Sequence, residues 1–198
     1  FFDDDAPHAR AELAFERGRD HFDAPRYGEA VSYFEQSVEQ KHDFADAHYY
    51  LGLSQHRQGR YEGACDAFSM AVCFAPQMGS AYVALARAEF TKGEVREALH
   101  SIERAMQAGE RGADVYKLRG ELSFELGNMP DAVHSYRRAL AASPDDALAH
   151  TSLGYLLFSQ SADYEAGAWH LERAVELAPD DPIVLCNYTV LLMHRGEL

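Results

Sequence analysis

Small and apolar residues recur along this chain at a fixed interval, with polar residues between them. One track of glycine or alanine returns every 34 residues, at Gly18, Gly52, Ala86, Gly120 and Gly154. A second track of alanine keeps the same interval, at Ala30, Ala64, Ala98, Ala132 and Ala166. A period in this range is typical of repeat arrays, whose repeats bury their apolar faces only by stacking on neighbours. The pattern therefore predicts a stacked array, with function on a surface that several repeats share.

Within each repeat, other apolar positions keep helical spacing on both sides of a glycine. Large apolar residues follow the second track by four residues, at Phe34, Phe68, Ile102 and Tyr136. Alanine comes three residues later still, at Ala71, Ala105 and Ala139, and glycine lies midway between the tracks at Gly59, Gly93 and Gly127. This spacing predicts two short amphipathic helices and a tight turn per repeat, and about eleven helices in all.

The clearest repeat runs from Ala45 to Met78 and carries Leu51, Gly52, Gly59, Tyr61, Ala64, Phe68, Ala71 and Pro76 in order. This pattern resembles the tetratricopeptide repeat (TPR) family. The resemblance implies an all-α, right-handed superhelical solenoid of antiparallel helix pairs. It divides a single solenoid, residues 1–198, into repeats at about 11–44, 45–78, 79–112, 113–146 and 147–181, with a partial repeat at 182–198.

The chain departs from the family pattern at several positions. Arg17 and Arg119 stand where the family has a leucine, and His42 and Glu110 replace the closing proline. In the fifth repeat, Leu171, Ala174 and Pro179 fit the pattern only after a shift of one residue. We place the extra residue near Ser159 to Ala162, where it lengthens a turn.

The candidate binding residues lie on one face of the first helix of each repeat. Offsets of i, i+4, i+7 and i+8 select a single helical face, and in the family this face lines the concave groove. The partner-binding candidates on it are Phe15, Arg19, Phe22, Tyr49, Leu53, His56, Arg57, Arg87, Phe90, Lys117, Glu121, Phe124, Tyr155 and Phe158.

Two features of this face suggest what it binds. An aromatic ladder repeats every 34 residues, at Phe22, His56, Phe90, Phe124 and Phe158. A basic stripe runs beside it, at Arg19, Arg57, Arg87 and Lys117. The ladder suits an apolar or extended peptide, and the stripe suits its carboxylates or backbone oxygens. The alternative is that the rings pack against the next helix and neighbouring acidic side chains neutralise the cations.

Composition and charge narrow the classes of function. The net charge is −14, from 32 acidic and 18 basic residues, which disfavours nucleic acid as a partner, although acidity also simply keeps a solenoid soluble. No apolar run reaches the roughly 20 residues of a membrane span, so we expect no membrane insertion and a cytoplasmic location. The three cysteines suit a reducing compartment, since Cys65 and Cys73 lie too far apart on one helix for a disulfide.

The sequence favours binding over catalysis. His100 and His134 occupy equivalent places on successive repeats, too far apart to share a metal, and no phosphate loop or nucleophile elbow is visible. We therefore expect no enzyme activity, no metal and no cofactor, and a protein or peptide partner. Two alternatives stay open: a recruiting or regulatory repeat domain of a larger enzyme such as a bacterial glycosyltransferase or sulfotransferase, and a secretion or assembly chaperone.

The last segment, Ile183 to Met193, is apolar nearly all round. Solenoid ends normally carry a polar outer face. We therefore expect further repeats, another domain or a second copy of the chain to cover this segment, and we expect the chain to be part of a longer protein.

Overall fold

The computed structural model describes residues 5–159 and 163–196, and it describes side chains from Pro7 onward. The described residues form eleven α-helices and no strand. The helices are α1 Asp5–Asp23, α2 Tyr27–Gln40, α3 Ala45–Arg57, α4 Tyr61–Phe74, α5 Gly79–Lys92, α6 Val95–Gln107, α7 Ala113–Glu125, α8 Met129–Ala142, α9 Ala147–Ser159, α10 Tyr164–Leu177 and α11 Pro182–Arg195. The predicted all-α helical-repeat fold is thus confirmed.

The helices alternate between two roles, which we name A and B. The A helices are α1, α3, α5, α7, α9 and α11, and each of the first five packs along the B helix that follows it. From α3 to α9 the A helices begin at 34-residue intervals, at Ala45, Gly79, Ala113 and Ala147, and α11 begins 35 residues after α9. Three of the turns between A and B helices hold a glycine with positive φ, at Gly59 (75°), Gly93 (86°) and Gly127 (75°). These are the predicted midpoint glycines, and a left-handed backbone explains why glycine occupies them.

Small residues of the A helices let a ring of the partner B helix approach closely. A Cβ added at Gly18 would lie 2.6 Å from the ring of Phe34, and one added at Gly52 would lie 2.7 Å from the ring of Phe68. Phe34 and Phe68 are fully buried. The first track of glycine and alanine residues therefore marks the points where the two helices of a pair are in close contact.

The same contact locates the extra residue of the fifth repeat. Gly120 meets Tyr136, sixteen residues on, whereas Gly154 meets Leu171, seventeen residues on. The buried small residue that faces α9 is Gly167, so Ala166 is not the equivalent of Ala132, and the second track shifts by one in this repeat. Residues 160–162, where we placed the insertion, lie outside the described residues.

The chain divides into two compact units, Phe1–Glu110 and Arg111–Leu198, hereafter the first and second units. In the first unit, Phe34, Phe68 and Ile102 are fully buried. In the second unit the fully buried large side chains include Leu122, Leu153, Leu171 and Leu191.

The side chains that depart from the family pattern are accommodated by local contacts or by exposure to solvent. Arg119 donates from Nη1 to Oγ of the buried Ser135 at 2.6 Å, so its guanidinium lies along α8. Arg17 is exposed. The backbone oxygen of His42 accepts a hydrogen bond of 2.8 Å from Nε2 of His48, and the side chain of Glu110 packs beside Gly79.

Candidate functional site

The first two aromatic residues of the candidate face contribute to the core of the first unit. The Phe15 ring lies 4.9 Å from Phe44 and 5.6 Å from Tyr50, measured between centroids. The Phe22 ring lies 5.5 Å from Tyr27 and 5.5 Å from Tyr50. Both phenylalanines are only half buried. Each therefore packs against the core of the first unit and keeps part of its ring exposed.

Tyr49 and Leu53 of α3 lie in a similar position one repeat later. Both pack against the cluster of buried residues that includes Phe68 and Leu85, and both keep partial exposure. Burial raises the pKa of the Tyr49 hydroxyl, so this group stays neutral and acts only as a hydrogen-bonding group.

The side chains of the aromatic ladder contribute to packing between helices. Phe22, His56 and Phe158 each contact the aromatic residue that opens the next B helix, at Tyr27, Tyr61 and Tyr164, with centroids 5.1 to 5.5 Å apart. Phe90 and Phe124 are half buried as well. The ladder residues therefore pack within their own repeats and also against the next repeat, since Phe22 contacts Tyr50, Phe124 contacts Tyr155 and Phe158 contacts His194.

The first unit carries arginines without carboxylate partners on this face. Arg57 and Arg87 are exposed, and neither forms an ion pair or a hydrogen bond with any residue that the structure describes. Both lie close to His56, whose pKa is lowered by burial and then by the charges of these two arginines. Nε2 of His56 is buried and finds no hydrogen-bond partner among the described residues. The guanidinium of Arg19 lies over the Tyr50 ring, 5.5 Å from its centroid.

Lys117, in the second unit, differs from these arginines. Its Nζ lies 2.6 Å from Oδ2 of Asp146 and 3.0 Å from Oδ1 of Asp114. Burial lowers the pKa of Lys117, but the hydrogen bonds to the two aspartates outweigh burial and the net pKa is raised. Its charge is thus neutralised within the fold, while Glu121 on the same helix is exposed.

The second unit also contains a pocket on its A-helix side. Its volume is about 140 Å³, and it opens between α7, α9 and α11. The residues that line it are Phe124, Tyr136, Thr151, Ser152, Tyr155, Leu156, Ile183 and Asn187. Of the partner-binding candidates, only Phe124 and Tyr155 line it. Sequence reasoning missed the contribution of α11, because Ile183 and Asn187 lie outside the i, i+4, i+7 and i+8 offsets that select the candidate face, whether or not the one-residue shift is allowed for.

Other titratable groups form no recognisable reaction centre. Among the described residues, no group of three or more metal-ligating side chains converges. Cys65 is buried, and burial raises the pKa of its thiol to about 11, whereas Cys73 and Cys186 are exposed. No helix in the described part of the chain is long and apolar enough to cross a membrane.

The paired helices, their glycine contacts and their 34-residue interval define a helical-repeat protein of the kind that serves as a protein-interaction scaffold. Models of the tetratricopeptide repeat family match residues 15–81, 83–136 and 113–161, so the chain belongs to this family. No curated protein matches the chain at a significant level.

Several solved structures are similar to the chain in fold. MamA from Desulfovibrio magneticus superposes with a TM-score of 0.79 at 18% identity, covering 87% of this chain and 97% of that protein. YrrB, a TPR protein with an unusual peptide-binding site, gives 0.77 at 18% identity, covering 93% and 91%. PilF of Pseudomonas aeruginosa gives 0.81 at 13% identity, covering 97% and 87%. At these identities the likeness concerns the fold.

Proposed function

We propose that this chain is a binding scaffold, without catalytic activity of its own, that holds an extended segment of a partner protein against its A helices. The observation that carries the proposal is the pair of exposed arginines, Arg57 and Arg87, left without carboxylates on a protein of net charge −14. In a chain with 32 acidic residues, cations on one face that stay unpaired are available to an external anion.

The chemistry of the face indicates the kind of segment. Arginine pairs with carboxylates through two parallel hydrogen bonds, and the half-buried rings of Phe15, Phe22 and Phe90 on the same candidate face offer apolar contact. An acidic segment with interspersed apolar residues satisfies both. The unusual peptide-binding site of the YrrB relative is consistent with this use of the fold.

The test is cross-linking and affinity capture from the native lysate with the full chain. The variant Arg57→Gln, Arg87→Gln removes two charges at the face, and Arg10→Gln, Arg96→Gln removes two exposed charges elsewhere as a matched control. We expect a specific protein to be captured by the wild type and the control, and captured at least about fivefold less by the face variant. Cross-links from its acidic segment to α3 or α5 identify the contact.

Equal capture by all three proteins would contradict the assignment to this face. Capture of nothing beyond what an unrelated acidic repeat protein retains would contradict the scaffold function itself. Either conclusion requires that the variants keep the helicity of the wild type, which far-UV circular dichroism measures.

We also propose that α11 contacts protein. Ile183 is 60% exposed and Met193 is 66% exposed, and Leu185 and Val190 are exposed as well, while of the described α11 residues only Val184 and Leu191 are buried. An apolar surface of this kind is typical of an interface. Light scattering on the isolated chain should show association that Met193→Ser weakens, and a monomer at all concentrations would count against self-association.

A further inference from the structure

The last two A helices differ in charge from the A helices that precede them. The candidate face of α7 carries Lys117 and Glu121, and each earlier A helix also carries charged residues. In contrast, α9 contains no Asp, Glu, Lys or Arg, and α11 contains only Arg195, whose Nη1 lies 2.7 Å from Oε1 of Glu172 on α10. Two neighbouring helices of a protein with net charge −14 are therefore almost free of charge.

The exposed apolar residues of α11 lie along one line of the helix. Ile183, Val190 and Met193 are 60%, 43% and 66% exposed, and Cys186 is exposed as well. These four residues, which we call the α11 seam, are spaced i, i+3, i+7 and i+10. This is the heptad spacing with which one helix packs along another. The spacing therefore indicates a helix as the partner of the α11 seam.

The surface next to the α11 seam continues this character on α9. Leu148 and Tyr155 are 44% and 39% exposed and are spaced as Ile183 and Val190 are on α11. The ring of Phe158, at the end of α9, lies 5.3 Å from that of His194 on α11, measured between centroids. The uncharged apolar surface thus extends over two helices that are in contact.

The lack of charge indicates that a second copy of the chain provides this helix. A two-fold symmetric contact joins the same surface of both copies, so that surface must complement itself. The candidate face of the first unit does not, because its arginines would meet the same arginines. The α11 seam does, because apolar side chains would meet apolar side chains. Two copies with a net charge of −14 repel each other, so a contact without acidic residues is the favourable one.

The ends of α11 favour an antiparallel arrangement of the two helices. A parallel pair would place Asp180 and Asp181 of one copy beside the same carboxylates of the other, and it would also align the two helix dipoles. In an antiparallel pair, residues equidistant from the middle of α11 face each other. Ile183 then meets position 193 of the second copy, and Cys186 meets position 190.

We propose that the α11 seam joins two copies of this chain as an antiparallel, two-fold symmetric dimer, with Leu148 and Tyr155 of α9 at the margin of the contact. The inference rests on the proposed contact of α11 with protein and names the partner in that contact. The arginines of the first unit take no part in it.

The first test is sedimentation equilibrium of the full chain at concentrations from about 1 μM to about 1 mM. We expect the mass to rise from that of one chain to that of two and no further, because a two-fold contact closes. Val190→Ser should raise the dissociation constant of the dimer at least about tenfold, since each dimer loses two apolar contacts.

Leu185→Ser is the matched control on the same helix. Leu185 is 39% exposed, close to the 43% of Val190, but it lies five residues earlier and therefore about 140° around the helix. We expect this variant to change the dissociation constant by less than about twofold. Far-UV circular dichroism checks that both variants keep the helicity of the wild type.

Disulfide cross-linking tests the orientation. Cys65 is buried, and Cys73→Ser removes the other exposed thiol outside α11. We expect Cys73→Ser with Val190→Cys to form a covalent dimer on mild oxidation, linked between Cys186 and the thiol introduced at position 190. Cys73→Ser alone should form few covalent dimers, because two antiparallel Cys186 residues are offset by about 6 Å along the axis in addition to the separation of the helices.

Three results would overturn the inference: a single-chain mass at every concentration, equal effects of Val190→Ser and Leu185→Ser, or efficient linkage of Cys186 to Cys186. If the chain stays monomeric but α11 cross-links to another protein of the lysate, α11 does contact protein and only the second copy is wrong. If the dimer forms and Arg57→Gln with Arg87→Gln leaves lysate capture unchanged, the dimer stands and the proposed use of the first unit is wrong.

Discussion

At the scale of single residues, the pairing of a small residue with a ring explains the first track. Gly18 faces Phe34, Gly52 faces Phe68 and Gly120 faces Tyr136, and in each case an added Cβ would lie less than 3 Å from the ring. The third repeat has alanine at Ala86, and the residue sixteen positions on is the smaller Ile102. The size of the B-helix residue thus determines whether glycine or alanine is accommodated.

Replacement of Gly52 tests this pairing. We expect Gly52→Ala to lower the free energy of unfolding by about 1 to 3 kcal/mol, because the methyl group would overlap the Phe68 ring in a packed core. Adding Phe68→Ile should recover part of the loss, so the double variant should be more stable than the sum of the single effects predicts. Urea unfolding of the four proteins measures the coupling.

Gly63→Ala provides the control, since a Cβ there meets only the flexible side chain of Gln55 at 3.1 Å. Alanine in a helix interior is favoured over glycine, so this variant should be neutral or more stable. Additive effects of Gly52→Ala and Phe68→Ile would show that the two residues do not constrain each other.

Two histidines of the second unit form a proton-dependent contact between α9 and α10. His150 donates from Nε2 to the backbone oxygen of Pro144 at 3.0 Å, so its Nδ1 accepts from Nδ1 of His170 at 2.8 Å. Burial, then the neighbouring His150 and Arg137, lower the pKa of His170 to about 4. The lowered pKa keeps His170 neutral in this contact at neutral pH.

The stability of the protein should therefore fall in mild acid. Because the folded pKa of His170 lies below its usual 6.5, the unfolded chain binds this proton first as the pH falls. The stabilisation is complete above pH 6.5 and is lost between pH 6.5 and about 4. We expect a loss of about 1 to 2 kcal/mol, since solvent screens the half-buried ring. Urea unfolding between pH 7 and 5 measures it.

His170→Gln should flatten this pH dependence, whereas His100→Gln, which changes an exposed histidine on α6, should retain the wild-type slope. Parallel curves for wild type and His170→Gln would rule out His170 as the titrating group.

At the scale of helices, sequence alone was sufficient to predict the pairs and their turns. The two tracks of glycine and alanine and the midpoint glycines lie at contacts and turns that recur from repeat to repeat. They are therefore visible in the sequence as a regular period. The shift from Ala166 to Gly167 interrupts the period. Leu171, Ala174 and Pro179 indicate this shift in the sequence, and the contact between Gly154 and Leu171 shows the new register in the structure. Ile183 and Asn187 of α11 escaped the search for site residues for a different reason, since they lie outside the helical face that the search selected.

Periodicity does not predict the partner of a given charged residue. Lys117 and Arg87 occupy the same face of their helices in sequence, yet Lys117 pairs with Asp146 in the turn before α9 whereas Arg87 stays unpaired. The difference depends on where one aspartate sits in a turn, and no repeat signal encodes it.

Asp146 links α7 to α9. One carboxylate oxygen accepts from the backbone nitrogen of Ala149 at 2.9 Å, which caps α9, and the other lies 2.6 Å from Nζ of Lys117. Burial opposes ionisation, but the hydrogen bonds from Lys117 and Ala149 outweigh it and lower the pKa of Asp146. One side chain therefore holds two neighbouring A helices together.

We expect Asp146→Ala to lower the free energy of unfolding by about 1 to 2 kcal/mol, and Asp146→Asn by about half of that, since asparagine keeps the cap. Asp114→Ala removes the more exposed partner of Lys117 and should cost less than about 0.5 kcal/mol. Thermal or urea unfolding measures these effects. An equal loss for Asp114→Ala and Asp146→Ala would show that capping by Asp146 contributes nothing.

At the scale of the whole molecule, acidic residues far outnumber the basic residues that could pair with them. Among the described residues, ion pairs engage only five of the 18 lysines and arginines, namely Lys92, Lys117, Arg119, Arg173 and Arg195. Most of these pairs are partly exposed and contribute little each. The excess of 32 acidic over 18 basic residues is therefore left largely uncompensated within the fold.

Salt should consequently stabilise the protein rather than weaken it. Raising NaCl from about 0.01 M to about 0.15 M shortens the screening length from about 30 Å to about 8 Å, which reduces carboxylate repulsion across a unit. We expect the free energy of unfolding to rise by the order of 1 kcal/mol. Glu35→Lys with Glu39→Lys, two exposed changes on α2 that move the net charge from −14 to −10, should reduce this dependence. A fall in stability with salt would mean that the ion pairs, and not the charge excess, dominate the electrostatics of the fold.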